Sequence, residues 1–193
     1  MNYILFDGTV RKALLPFTYT RPVADIRIGI LTIREKWEKY LGNTTSTITE
    51  DYLSEKFPMV ELEENVMINA SYLPNTKLVG LIEGLKENQV IYHKDNIVAF
   101  FAKDVQEEID FDLYDAIEFV EDVMTIEHTW DIFSKNEEAL QADFDLVTAG
   151  RKTAPISKTN ILIKPERIFI EEGAVVEHCM LNATNGPIYV CAN

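Results

Sequence analysis

The residues best suited to chemistry lie close together near the N-terminus, in Asp7-Gly8-Thr9-Val10-Arg11 and Leu15-Pro16-Phe17-Thr18-Tyr19-Thr20-Arg21-Pro22. A glycine just past a strand lets backbone amides approach phosphate oxygens closely, and arginines offer planar donors to those oxygens. A helix that follows adds its positive end. Strand, glycine, arginine and helix in that order suit a nucleotide held at the carboxyl edge of a parallel sheet. Plainer readings stand beside this one. Gly8 also fits a tight turn at a strand end, and Arg21 also fits a structural ion pair in a chain so rich in carboxylates.

Elements must position these residues. Tyr3-Ile4-Leu5-Phe6, closed by Asp7-Gly8, reads as a buried strand ending in a turn. Ile26, Ile30, Ile33, Trp37 and Leu41 recur at helical spacing, so residues 26–41 are expected to be a helix stopped by Gly42. Residues 44–49 and 65–70 read as strands, 51–57 as a short helix before Pro58, and 79–87 as a helix. Residues 89–93 and 96–102 read as a hairpin turning at Lys94-Asp95. The acidic stretch 104–115 is expected to be a solvated loop. Residues 129–142 are expected to be helical, with Trp130, Phe133 and Leu140 on one side. Trp37 and Trp130 are assigned to the core.

Bulk properties exclude several classes. The 193 residues carry 18 Lys and Arg against 32 Asp and Glu, a formal net charge of -14. Nucleic acid and anionic membrane surfaces demand the opposite sign. Two cysteines, Cys179 and Cys191, make neither a disulfide framework nor a zinc set. The start has no secretory character, and no apolar run is long enough to span a bilayer, so the expected compartment is the cytoplasm. His93, His128 and His178 are scattered without metal-ligand spacing. Asn69 is a candidate ligand or a loop cap, and Asp131 is expected to be a surface helix acid.

After Gly150 the pattern changes to short aliphatic runs: Ile161-Leu162-Ile163, Ile168-Phe169-Ile170, Val175-Val176 and Ile188-Tyr189-Val190. Ile170, Val176 and Ile188 sit on a six-residue grid whose remaining point is Asn182. A parallel β-helix shows this period, and two strands of an ordinary sheet are the alternative. A solenoid of one coil cannot bury its face, so the chain is expected to be part of a longer protein whose β-helix continues past Asn193.

The order Gly8-Thr9, Arg11, Leu15-Pro16, Thr18, Arg21-Pro22 and then a helix resembles the opening of sugar-1-phosphate nucleotidyltransferases. Trp130-Asp131-Ile132-Phe133, Asn136, Asp143-Phe144, Gly150-Arg151, Phe169-Ile170, Gly173-Ala174 and Gly186-Pro187 resemble the join to a left-handed β-helix, as in the UDP-N-acetylglucosamine pyrophosphorylase/glucosamine-1-phosphate acetyltransferase group. The resemblance implies an α/β, Rossmann-like nucleotidyltransferase domain with a mixed, mainly parallel sheet over residues 1–152. It also implies the first coil of a left-handed parallel β-helix over 153–193. The implied reaction joins a nucleoside triphosphate to a sugar 1-phosphate, giving a UDP-N-acetylglucosamine-type nucleotide sugar and pyrophosphate. By the same resemblance Gly8, Thr9, Arg11 and Asn69 line the nucleotide site and Arg11 and Arg21 act on its phosphates. Magnesium is the implied cofactor, with Asp7 and Asp25 as candidate ligands, and the full-length protein is implied to be a homotrimer through the β-helix.

The chain also departs from the family pattern. Asp7-Gly8 stands where two glycines are usual, and Val10 separates Thr9 from Arg11. Pro22 is followed by Val23-Ala24-Asp25 in place of a lysine, and Asn69-Ala70-Ser71 stands where a metal aspartate is usual. These departures support an alternative: a catalytically degenerate nucleotide- or sugar-phosphate-binding domain regulating an attached β-helix acyltransferase.

Overall fold

In a computed structural model of the chain, which describes residues 1–103 and 109–192, the residues fall into two compact units, Met1–Ser134 and Lys135–Asn193. The first is an α/β unit around a six-stranded sheet. β1 (Asn2–Phe6) pairs in parallel with β2 (Thr45–Ile48) on one side and with β3 (Asn65–Asn69) on the other. β5 (Asn96–Ala102) runs antiparallel to β3 and to β4 (Gln89–His93), and β6 (Asp115–Glu118) adds in parallel to β4. The order is β2-β1-β3-β5-β4-β6, a mixed sheet with three parallel pairings of five. Ile4, Leu5, Val66 and Ile68 are fully buried. That is why β1 and β3 read as unbroken apolar runs: strands covered on both faces have no polar side to alternate.

The hairpin turns at Lys94 and Asp95, as expected. Both have positive φ, 48° and 65°, the geometry that matches the twist of the flanking strands. Five other expectations need correction. The helix α1 spans Ile33–Leu41 and does not begin at Ile26. Ile26 and Ile28 are buried in a tight loop instead, in which Arg27 bridges to Thr32 and Gly29 has φ 73°. The true start was written in Thr32-Ile33-Arg34-Glu35, a capping box. The Thr32 side chain accepts the Glu35 amide, and the Glu35 carboxylate accepts the Thr32 amide.

After α2 (Asp51–Ser54), α3 covers Thr76–Glu83 rather than 79–87, because Asn75 caps it and Gly84 ends it. The acidic stretch is more than a loop where it is described. Phe111 packs edge-on against Phe100 at 5.0 Å, and β6 begins at Asp115; residues 104–108 lie outside the described set.

The expected helix over 129–142 is broken. α4 (Asp131–Ser134) closes the first unit and α5 (Asn136–Thr148) opens the second. Trp130 and Phe133 are 63% and 74% exposed, so neither belongs to the core. Trp37 does, at 0% exposure, with its indole N–H donated to the Tyr72 carbonyl at 3.0 Å. Among the described residues no helix is long and apolar enough to cross a membrane.

In the second unit β7 (Ile161–Ile163) pairs in parallel with β9 (Met180–Asn182), and β8 (Ile168–Ile170) with β10 (Ile188–Val190). Ile161 lies opposite Met180 and Ile168 opposite Ile188, so the chain comes back beside itself after roughly twenty residues in two short two-stranded ladders. Ile168, Ile170 and Ala183 form the interior, with Val176 and Ile188 packed against them. Asn182, the fourth grid point, is exposed. Leu181 and Ala183 on either side of it face the core, and its side-chain Oδ1 accepts the Thr184 amide at 3.0 Å. Asn160 ties successive turns by donating to the Val176 carbonyl at 2.7 Å and accepting from the Cys179 amide at 3.0 Å.

One cluster in this unit has a pH signature. Glu171 accepts the Tyr189 hydroxyl, the Ala192 amide at 3.0 Å and the Arg151 guanidinium at 3.0 Å. These partners, the Tyr189 hydroxyl first, hold its carboxyl down from the ordinary 4.5 to about 2. A carboxyl depressed on folding contributes stability above its unfolded pKa and loses it as pH falls through the folded one. The second unit is therefore expected to loosen between about pH 4.5 and 2. Thermal melts across that range should show an acid step that Glu171→Gln removes, and an identical step in that variant would count against the cluster.

Candidate functional site

β2 and β3 flank β1 on opposite sides, so the chain leaving β1 and the chain leaving β3 part at one carboxyl edge. Such a switch point opens a crevice beyond the strand ends. A pocket of about 300 Å3 lies there. Thr9, Val10 and Ala13 come from the turn after β1; Asn69, Ser71 and Tyr72 come from the end of β3; Asn96 opens β5; and Glu127 and His128 complete the wall.

Gly8 joins these two loops. Its φ of 60° and ψ of -171° fall in a region that is essentially glycine-only. A Cβ there would sit 3.0 Å from Asn69 Oδ1 and 3.2 Å from Asn69 Nδ2. Asn69 cannot readily yield. Its Nδ2 donates to the Ile97 carbonyl at 3.0 Å, and its Oδ1 accepts both the amide and the hydroxyl of Ser71, at 3.0 and 2.8 Å. Gly8 and Asn69 thus pack face to face, and Asn69 caps its loop while lining the pocket.

The two arginines differ sharply. Arg11 is 8% exposed, and its guanidinium is turned inward. Nη1 donates to Asp7 Oδ2 at 2.5 Å and to Thr49 Oγ1 at 3.1 Å; Nη2 donates to the Thr18 carbonyl at 2.6 Å and to the Tyr52 hydroxyl at 2.9 Å. Nε faces Glu50 Oε1 at 3.5 Å. Four of the five guanidinium N–H groups are thus hydrogen-bonded and the fifth faces a carboxylate, so the guanidinium is not turned toward a phosphate. The hollow beside it, about 350 Å3, is lined also by Asp7, Glu50 and Asp51, which give it the wrong sign for an anion. Arg11 instead ties β1, β2 and the Thr18 turn together, and Thr18 answers by donating its hydroxyl to the Arg11 carbonyl at 2.9 Å. The Arg21 side chain is exposed, with no hydrogen bond or ion pair among the described residues, and so is the side chain of Lys12 on the turn after Gly8.

The candidate metal ligands do not fit a cation. Asp7 accepts the Val23 amide on Oδ1 at 2.6 Å and Arg11 and Thr49 on Oδ2. Asp25 faces Arg34 with both oxygens, at 2.9 and 3.1 Å. Among the described residues no group of three or more His, Cys, Asp or Glu is placed to hold a metal.

Ser71, Asn96, Glu127 and His128 escaped the sequence reading as pocket residues. The last two are anchored by Asp131, which is buried rather than a surface acid. Its Oδ2 accepts the amides of Glu127 and His128, both at 2.9 Å. The available signal was an acid three residues after His128, the reach-back half of a capping box.

No curated protein matches the chain at a significant level. A family model described as sugar nucleotidyl transferase matches residues 3–152, a span that holds all of the six-stranded sheet but Asn2 and every residue lining the β1/β3 pocket. The chain belongs to the sugar nucleotidyl transferase family.

Proposed function

We propose that residues 3–152 catalyse attack of a sugar 1-phosphate oxygen on the α-phosphorus of a nucleoside triphosphate, releasing pyrophosphate and forming a nucleotide sugar of the UDP-N-acetylglucosamine kind. The observation that carries this reading is the pocket at the β1/β3 switch point of a chain in this family. Its lining is mostly hydroxyls and amides with one carboxylate, Glu127, and no Lys or Arg among the described residues, which suits the uncharged base and sugar better than the phosphates. The exposed Arg21 then meets the phosphates. Two residues further on, the Val23 amide donates to Asp7, which supports this reading by tethering that stretch of backbone to the end of β1. Gly8 and Thr9 shape the loop between pocket and phosphates, Asn69 fixes the facing wall, and Arg11 holds the loop from behind. Phosphoryl chemistry of this type is mostly positioning and charge neutralisation, which these residues supply without a covalent intermediate. No step is assigned to magnesium, because Asp7 and Asp25 are committed elsewhere.

The test is pyrophosphate release from a panel of nucleoside triphosphates with N-acetylglucosamine 1-phosphate and related sugar 1-phosphates. Turnover is expected with one pair, and Arg21→Ala should lower kcat/KM roughly 10- to 100-fold, the effect of removing one charge-stabilising donor at its lower range. One observation favours a second reading. Arg11's donors are spent and no cation lines the pocket, so a domain that binds nucleotide without turning it over would look the same. Binding without pyrophosphate release would select that regulatory reading, attached to a β-helix acyltransferase. In either case we assign the protein to the cytoplasm, with nucleotide and sugar phosphate rather than nucleic acid or membrane as partners. We also take the parallel ladders of the second unit as the first coil of a left-handed, trimer-forming β-helix.

A further inference from the structure

The pocket wall opposite the Gly8 loop has a support that nucleotide-phosphate chemistry does not explain. Asp131 accepts two successive amides, Glu127 and His128, and its own amide donates to the His128 carbonyl at 3.0 Å. The backbone of these two pocket-lining residues is therefore held in place. The His128 ring lies flat on the Trp130 indole, with centroids 4.4 Å apart and planes 9° from parallel. Trp130 is nevertheless 63% exposed.

Two aromatic rings line the pocket, His128 and Tyr72. Tyr72 is 4% exposed and packs edge-on to His93 at 5.8 Å, so its ring is committed to the core. His128 is exposed. One of its faces is covered by the indole, and the residue lines the pocket.

We propose that the His128–Trp130 stack is the platform on which the base of the bound nucleotide seats. His128 makes the contact and Trp130 acts as a positioning residue behind it. This rests on the nucleotide reading above and names the group that holds the base. A ring stacked on a fixed ring loses little freedom when a third ring joins, and stacking tolerates any base because each has a π-face. Polar discrimination then falls to the lining. The Ser71 hydroxyl spends its proton on Asn69, so toward a ligand it offers lone pairs, which suit an N–H on the base edge.

The test titrates the full chain with UMP, UTP, dTTP, CTP, ATP and GTP, and with ribose 5-phosphate as the base-free control. Calorimetry gives affinity and tryptophan emission gives the signature. The chain has two tryptophans, and Trp37 is fully buried, so a change on binding that disappears in Trp130→Phe reports the platform. We expect at least one base-bearing ligand to bind and shift the emission while ribose 5-phosphate does neither. His128→Ala should weaken that ligand roughly tenfold, the middle of the range for loss of one stacked base. His128→Phe should keep wild-type affinity, because it keeps the ring and removes only the titratable group. If His128→Ala binds the nucleotide as tightly as wild type, or ribose 5-phosphate binds as tightly as UMP, the platform is wrong and the nucleotide pocket stands. If no nucleotide binds at all, both fall.

Discussion

Arg11→Met should cost the first unit about 3–5 kcal/mol, the usual penalty for stranding one partner of a buried ion pair. The Arg11 and Asp7 side chains are 10% and 8% exposed, so water does not replace the lost guanidinium. Four hydrogen bonds go with it, to Asp7, Thr49, Thr18 and Tyr52. Against a typical total of about 5–15 kcal/mol, the fold is brought close to its threshold. Urea denaturation measures the loss. A double-mutant cycle with Asp7→Asn separates its origin: removing both charges should recover part of the cost, because the stranded carboxylate is gone. Unchanged stability together with lost nucleotide affinity would return Arg11 to the phosphate role that the resemblance implied.

Gly8→Ala is the second large effect. Two separate penalties meet at this position. The backbone region at φ 60° and ψ -171° costs a non-glycine residue about 1–3 kcal/mol. The new methyl would also stand 3.0 Å from Asn69 Oδ1, inside ordinary contact, against a side chain held by three hydrogen bonds. Adding Asn69→Ala should relieve the contact and leave the backbone cost, so Gly8→Ala should be less destabilising in that background than in wild type, by calorimetry or urea titration. Equal cost in both backgrounds would mean that the loops do not pack as described. The variant also shifts the wall of the pocket, so nucleotide affinity should fall with it.

Much of the sheet was legible because burial on both faces writes itself as unbroken aliphatic sequence. β1 and β3 are such strands, and the Lys94-Asp95 turn fixed the hairpin between them and the far edge. α1 was legible in type but not in start. Ile26 and Ile30 keep helical spacing while belonging to a loop, and the Thr32/Glu35 capping box, which carries the boundary, was outweighed by periodicity. Trp130 was assigned inward by residue type, yet its neighbour His128, not the core, is what it packs on.

The site was legible only on its N-terminal side. The strand–glycine–arginine order pointed to the carboxyl edge of the sheet, where the β1/β3 pocket lies, because the chain after β1 must leave there. The direction of Arg11 was not readable. Asp7, four residues before it, and Thr49 and Tyr52, far along the chain, meet only once β2 has paired. Glu127 and His128 reach the pocket from beyond β6, a distance along the chain that no local pattern spans. In the second unit Ile170, Val176 and Ile188 of the six-residue grid pack in or against the interior, whereas Asn182 is exposed and the chain turns Leu181 and Ala183 inward instead.

The pocket itself is the place to test. Ala13 lines it from an exposed position and takes no part in the Asp7–Arg11 tie through its side chain. Ala13→Trp should fill the cavity without unfolding the unit. Isothermal titration of wild type and Ala13→Trp with UTP, dTTP, CTP, ATP and GTP is the direct measurement. At least one nucleotide should bind wild type and fail to bind an Ala13→Trp variant that melts at the wild-type temperature. A nucleotide that binds both equally well would place the site elsewhere and contradict the assignment of the β1/β3 pocket.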